Sequence, residues 1–186
     1  LILVMLGCIV MGMGVPTGAA YLIIAIVLGP ALERLGLPTI AAHLFVVYFG
    51  VLSVVTPPVA LAAFAAAPIA GAKPMETGFE AVRLAIAGFI IPFIFVYHQD
   101  VLIIIDGFKL NGLLWAVFVF VISSWLIGTG LSGYDTRHML IWERVLRLIV
   151  GITVLFPDFL ISVPSVIIAI IIIGWHKFGN RKLVSD

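Results

Sequence analysis

Long runs without a charged side chain divide this sequence. Asp, Glu, Lys and Arg are absent from residues 1–32, 35–72, 84–99, 110–134 and 159–176. A helix that crosses the hydrocarbon core of a bilayer needs about 20 mostly apolar residues, which is the length scale of these runs. The pattern therefore predicts an all-α polytopic membrane protein.

Composition strengthens that prediction and excludes other classes. Hydrophobic residues make up 63% of the chain and charged residues 10%, with a mean hydropathy of +1.31. Soluble domains carry about 25% charged residues. The sparse, balanced charges sum to +1 and give no reason to expect a nucleic-acid partner. The single cysteine, Cys8, supports neither a disulfide framework nor a zinc site.

The two longest runs are interrupted in the middle. Residues 12–18 read GMGVPTG, and residues 53–58 read SVVTPP. Glycine frees the backbone and proline removes a hydrogen-bond donor, so neither helix continues through its cluster. Broken helices are tolerated within a membrane only where protein or a water-filled cavity receives the freed backbone groups. Two consecutive breaks are the expected mark of a transport site, with hydroxyls and carbonyls for a small hard cation and helix N-termini for an anion.

The predicted organisation follows from these runs and breaks. We expect a re-entrant hairpin, a discontinuous transmembrane helix, a cytoplasmic connection, a further transmembrane helix, and a C-terminal extension with about three transmembrane helices. Their ranges are 1–33 (tip 12–18), 34–72 (break 53–58), 73–83, 84–100 and 101–186. The chain opens within an apolar segment at Leu1 without a signal peptide, so we expect the C-terminal part of a longer polypeptide.

The C-terminal extension leaves one helix assignment open. Residues 148–175 form either one long helix broken near Pro157 or, as we expect, two short helices that turn there. Glu143, Arg144 and Arg147 precede this stretch, and we expect them at the membrane interface with Trp142 among the headgroups.

Basic residues predict the orientation. If the hairpin comes first, eight Lys and Arg fall on one side of the membrane, and only Arg34 and Lys109 fall on the other. The eight are Lys73, Arg83, Arg137, Arg144, Arg147, Lys177, Arg181 and Lys182. The positive-inside rule then predicts a cytoplasmic C-terminus. The opposite assignment, with the hairpin second, gives the same later topology.

At the two breaks the sequence resembles the large permease subunit of TRAP transporters. The resemblance rests on GMGVPTGAAY at residues 12–21 and YFGVLSVVTPPVA at residues 48–60, with GFEAVRL and IPF further along. More closely, the sequence resembles the fused permeases that work with TAXI-type binding proteins, and the resemblance covers roughly residues 1–100.

This resemblance implies the second inverted repeat of an elevator-type secondary transporter in the cell (inner) membrane. It also implies sodium-coupled import of organic acids, C4-dicarboxylates among them, with sodium as coupling ion and no cofactor. The implied partners are an extracytoplasmic TAXI/TRAP substrate-binding protein, the N-terminal half of the permease with its small membrane subunit portion, and the lipid bilayer. The implied substrate- and ion-binding residues are Gly12, Gly14, Thr17, Ser53, Thr56 and Pro57, all except Pro57 being sodium candidates.

Parts of the sequence also fit other functions. A proton-coupled organic-anion transporter of related fold would draw on His43, which we otherwise expect at the interface or bonded to a neighbouring helix. Residues 130–133 match the Gly-x-Ser-Gly pattern of intramembrane serine proteases, but His138 lies in the same polar connection and no separate helix offers a base. We therefore expect no enzyme activity. A non-transporting membrane scaffold predicts intact helices, and the two breaks argue against it.

Overall fold

The protein is all-helical over the residues that the structure, a computed structural model, describes: 1–103 and 109–178. Within these ranges the α-helices are α1 (Ile2–Gly12), α2 (Thr17–Arg34), α3 (Thr39–Leu52), α4 (Leu61–Ala66), α5 (Pro74–Leu84), α6 (Ile86–Tyr97), α7 (Leu110–Ser132), α8 (Ile141–Thr153) and α9 (Phe159–Phe178). Short 3₁₀ turns occupy Ser53–Val55 and Gln99–Leu102. The predicted basic residues Arg181 and Lys182, and the predicted cytoplasmic C-terminus, lie outside the described residues.

Three helices are long and apolar enough to cross a membrane: Thr17–Arg34, Leu110–Ser132 and Phe159–Lys177. A fourth span is available if α5 and α6, which meet at an angle of 43°, act as one bent segment. These helices confirm the prediction of a polytopic membrane protein. Helix α1 has 11 residues, and at 1.5 Å per residue it covers only about half of the hydrocarbon thickness.

The chain divides into two compact units, residues 1–107 and 108–186. In the first unit α3 is the central helix and packs against α1, α2 and α6. Its buried aromatic side chains, Phe45 and Phe49, meet edge to face with ring centroids 4.8 Å apart, and each also meets Phe93 of α6. This apolar core holds the end of α1 against the end of α3.

In the second unit α7 and α8 pack at close range through small residues. A Cβ atom on Gly151 would lie 2.7 Å from Cγ1 of Ile127, and one on Gly130 would lie 3.2 Å from side-chain atoms of Leu148. The hydroxyl of Ser123 donates to the carbonyl of Gly151 at 2.7 Å, which satisfies two buried polar groups at once. Helix α9 packs against both of the others.

The charged residues of α8 lie inside the second unit, and their expected position at the membrane interface stays a prediction. Glu143 and Arg147 are buried against α7 and α9, with 1% and 0% of their surface exposed. They face inward because they pair with each other and with other polar groups of the unit, which offsets the cost of removing them from water. Arg144 differs, since its guanidinium donates to the carbonyls of Gly130 and Leu131 at the end of α7. Between α8 and α9 the helix is interrupted at residues 154–158.

Candidate functional site

The first break separates α1 from α2 with a tight turn. Gly14 adopts a φ of +74°, a conformation that glycine reaches without steric cost. Pro16 then precedes α2 as its N-cap residue, with no side-chain cap for the helix. Because the first N–H groups of a helix have no intrahelical partner, this turn presents unpaired donors at the exposed residues Thr17 and Gly18.

The second break follows the last turn of α3. The 3₁₀ turn at Ser53–Val55 leads into Thr56, whose backbone is extended, and then into the Pro57–Pro58 pair, which is joined by a cis peptide bond. Ala60, with a φ of +33°, is the N-cap residue of α4. The prolines lack the N–H groups that a continuous helix would need, so α3 ends here.

The fold brings the two breaks into direct contact. A Cβ atom on Gly12 would lie 2.6 Å from the hydroxyl oxygen of Ser53 and 3.1 Å from the carbonyl oxygen of Gly50. One on Gly14 would lie 3.9 Å from a methyl group of Val59. The end of α1 therefore lies directly against the second break, and only a residue without a side chain allows that approach.

Two hydroxyls at the second break are oriented by the backbone of α3. Ser53, which is buried, donates to the carbonyl of Gly50 at 2.6 Å, and Thr56 donates to the carbonyl of Leu52 at 2.7 Å. A hydroxyl that donates its proton to a carbonyl keeps both oxygen lone pairs for other partners. Neutral oxygen donors of this kind suit a small hard cation, and residues 12–18 and 53–58 contain no charged side chain.

The candidate residues do not all meet at one point. The contacts above join Gly12 and Ser53, and they place Gly14 beside the same break. Thr17 is exposed at the start of α2, and no hydrogen bond in the described part of the chain joins its side chain to Ser53 or Thr56. The ring of Pro57 faces another element, because its Cγ lies 3.0 Å from the position of a Cβ on Gly78 of α5.

Two glycines matter to the site but were not singled out from the sequence. Gly50 supplies the carbonyl that accepts the Ser53 hydroxyl, and Gly78 allows α5 to pack against the second break. Both lie within the segments that carry the TRAP resemblance, at residues 48–60 and in GFEAVRL. Their lack of a side chain was the available signal, but without tertiary structure nothing separated them from the other glycines.

His43 of α3 contacts α2. Its Nδ1 lies 2.9 Å from the hydroxyl of Tyr21, so the pair joins α3 to α2. This bond confirms the expectation that His43 is either interfacial or bonded to a neighbouring helix.

Ser132, in the protease-like pattern, has a different environment. Its hydroxyl oxygen lies 3.1 Å from the carbonyl oxygens of both Thr129 and Tyr134, so its single proton is donated to the backbone. His138 packs its ring against Tyr134 instead, with centroids 5.3 Å apart.

Apolar spanning helices and two apposed helix breaks define a polytopic membrane protein of the kind that transports solutes. Residues 1–110 match the family described as tripartite ATP-independent periplasmic transporter, DctM component. The chain belongs to this family, and the resemblance to TRAP large permeases is confirmed. It is therefore a permease of secondary transport, in a family of transporters rather than enzymes. No curated protein and no solved structure matches the chain significantly.

Proposed function

We propose that this chain forms the part of a TRAP permease that couples sodium entry to the import of an organic carboxylate. The observation that carries the proposal is the contact between the two helix breaks, with Gly12 directly against Ser53. We assign sodium as the coupling ion because the oxygen donors at the two breaks are neutral. The donors that the proposal assigns are the hydroxyls of Thr17, Ser53 and Thr56 and the carbonyls of Gly12 and Gly14.

The carboxylate substrate is assigned to the start of α2. That helix has 18 residues, and its first N–H groups are exposed at Thr17 without a side-chain cap. The partial positive charge of a helix N-terminus attracts an anion, and the absence of basic side chains at the breaks leaves these N–H groups as the local donors. A sodium ion bound next to the turn would add positive charge near the start of α2. Each ligand would then raise the affinity of the protein for the other.

The wider assignments follow the resemblance. The chain is the second inverted repeat of an elevator-type transporter of the fused, TAXI-associated type, with residues 1–33 as hairpin and 34–72 as discontinuous helix. It acts in the inner membrane with its C-terminus in the cytoplasm. It works with an extracytoplasmic binding protein and with the N-terminal half of the permease, including the small membrane subunit portion.

The test measures sodium dependence before the substrate is known. The complete permease, purified in detergent, is heated in NaCl and in KCl of equal ionic strength, and the apparent unfolding temperature is compared. Sodium should raise that temperature, because a ligand that binds only the folded state stabilises it. Thr56→Ser keeps the hydroxyl and should keep the sodium effect, whereas Thr56→Val and Ser53→Ala should reduce it. Ser132→Ala serves as the matched control and should respond like wild type.

Transport is measured next in proteoliposomes. The permease is combined with its binding protein, and uptake of labelled dicarboxylates and related organic acids is followed with sodium outside, inside or absent. An inward sodium gradient should be required. Equal unfolding temperatures in NaCl and KCl, together with uptake that ignores sodium, would contradict the proposal.

Proton coupling is the alternative, and the Tyr21–His43 bond is the observation that favours it. Histidine is the side chain whose ordinary titration range lies nearest neutral pH. If a proton gradient drives uptake, His43→Asn should abolish the dependence of uptake on that gradient. If a sodium gradient drives uptake, the same variant should transport like wild type.

A further inference from the structure

One end of the second unit lies where two membrane-spanning segments finish. These segments are Leu110–Ser132 of α7 and Phe159–Lys177 of α9. The stacked rings of Trp115 and Phe159 place the beginnings of the two helices side by side, so their ends share the opposite side of the unit. The connection from α7 to α8 starts at that side. Its side chains therefore belong at the depth of the lipid headgroups.

Aromatic rings and a basic side chain meet at this end. The guanidinium of Arg137, in the connection, lies over the ring of Trp175 of α9, with its central carbon 5.8 Å from the ring centroid. Trp142 of α8 packs against the same ring, with centroids 5.4 Å apart. The two tryptophans are 52% and 49% exposed. Half-exposed indole rings beside a cation are typical of the interface between a membrane and water.

The two carboxylates at this end are already paired with other groups. Asp135 lies 3.2 Å from Nη1 of Arg147, and Glu143 lies 3.3 Å from Nη2 of the same arginine. Oε1 of Glu143 also lies 2.5 Å from Nδ1 of His176. Within residues 109–178 no ion pair joins Arg137 to a carboxylate, and its buried Nε has no hydrogen-bond partner. The guanidinium of Arg137 therefore keeps N–H donors for an anion.

The neighbouring basic side chains add positive charge to the same end. Arg144 donates to the carbonyls of Gly130 and Leu131, and Lys177 lies over the ring of Trp125. These partners are neutral, so they leave both positive charges uncancelled. The end as a whole has four basic residues and two acidic ones. Its electrostatic potential therefore favours an anion.

We propose that Arg137, Trp142 and Trp175 bind the headgroup of an anionic phospholipid. The guanidinium of Arg137 donates to the phosphate, because its fork of N–H groups matches the spacing of phosphate oxygens. The indole rings of Trp142 and Trp175 pack against the glycerol region of the same lipid. The site is separate from the helix breaks, and its test does not depend on the proposed transport function.

The surroundings of Arg137 favour a lipid over a free anion. Leu140 and Ile141, where α8 begins, are 61% and 79% exposed. Acyl chains can cover these side chains and remove them from water, which is favourable. A hydrated phosphate ion covers no apolar surface and gains nothing from it. The combination of an arginine with exposed apolar side chains therefore indicates a ligand that has both a phosphate and acyl chains.

The experiment uses tryptophan fluorescence of the full chain in detergent. The chain contains four tryptophans, and Trp115→Phe with Trp125→Phe leaves only Trp142 and Trp175 to report. Phosphatidylglycerol or phosphatidylcholine with brominated acyl chains is added, and bromine quenches an indole ring that it contacts. Phosphatidylglycerol should bind about fivefold more tightly, the effect of one basic residue at an anionic membrane surface.

The variants assign this preference to Arg137. Arg137→Gln should bind the two lipids equally, whereas Arg137→Lys keeps the charge and should retain a preference for phosphatidylglycerol. Arg83→Gln is the matched control, because it removes a positive charge that already pairs with Glu80 of α5, and it should bind like wild type.

Three results would overturn the proposal. The first is wild type that binds both lipids equally, which can be measured whether or not the variants fold. The second is a preference for phosphatidylglycerol that Arg137→Gln retains. The third is competition by inorganic phosphate at the concentration of the lipid, which would indicate a site for free anions.

Discussion

Gly12 carries no side chain at the point where α1 ends against the last turn of α3. The hydroxyl of Ser53 occupies the space that a Cβ atom would need, and the carbonyl of Gly50 closes the other side. Gly18, a few residues further along, has nothing within 4 Å of its Cβ position. At the scale of single residues, the two glycines of the first break therefore differ: a close approach requires Gly12, whereas the space at the Cβ position of Gly18 is open.

This difference predicts opposite responses to alanine. Gly12→Ala should destabilise the protein by about 1–3 kcal/mol, because Ser53 and the α3 backbone must move to admit the methyl group. Gly18→Ala should leave stability unchanged or slightly raised, since alanine favours a helix by up to about 1 kcal/mol. Thermal unfolding of both variants in the same detergent checks the prediction. Equal losses in the two variants would show that the contact with Ser53 is not the cause.

At the scale of elements, α8 shows how the helices use their faces. Its apolar residues Ile141, Val145 and Ile149 are 49–79% exposed, while its charged residues Glu143 and Arg147 are buried. A helix of a soluble protein has the reverse arrangement. An outward apolar face is stable where the surroundings are apolar, so α8 fits a lipid environment, with its charges satisfied inside the unit.

Helix α5 packs against the second break through Gly78, which predicts an effect of a side chain at that position. Gly78→Ala would bring a methyl group to 3.0 Å from Pro57 and 3.4 Å from Phe64. The proline ring cannot rotate away, so the break should shift. If sodium binds there, about 1 kcal/mol of strain would raise the half-saturating sodium concentration about fivefold. The matched control is Gly29→Ala, whose Cβ position is open. If Gly78→Ala leaves the half-saturating sodium concentration unchanged, the packing of α5 does not affect the sodium site.

At the scale of the whole molecule, the chain consists of two units with separate internal structures. The family match at residues 1–110 covers the unit that holds the helix breaks. The other unit has its own helix packing, through Gly151 and Ser123, and its own buried ion pairs between Arg147 and the carboxylates of Asp135 and Glu143. The assignment to a transporter family therefore rests on the first unit.

This division predicts where sodium acts. Hydrogen exchange of the complete permease in NaCl should be slower than in KCl at residues 12–18 and 53–60, because bound sodium suppresses local opening of the breaks. The backbone of α8 should exchange equally in the two salts. Slower exchange in both units would indicate general stabilisation by sodium, and equal exchange everywhere would contradict a sodium site at the breaks.

The sequence by itself determined the class of the protein, the position of both helix breaks and the family. These properties depend on local chemistry: charge-free length sets the spanning helices, and glycine and proline end helices wherever they fall. Tertiary structure alone decided which break residues meet, since contact between Gly12 and Ser53 depends on how α1 packs against α3. It also turned Glu143 and Arg147 inward, because their partners Asp135 and His176 come from other segments, and a residue's own sequence neighbourhood does not encode such partners.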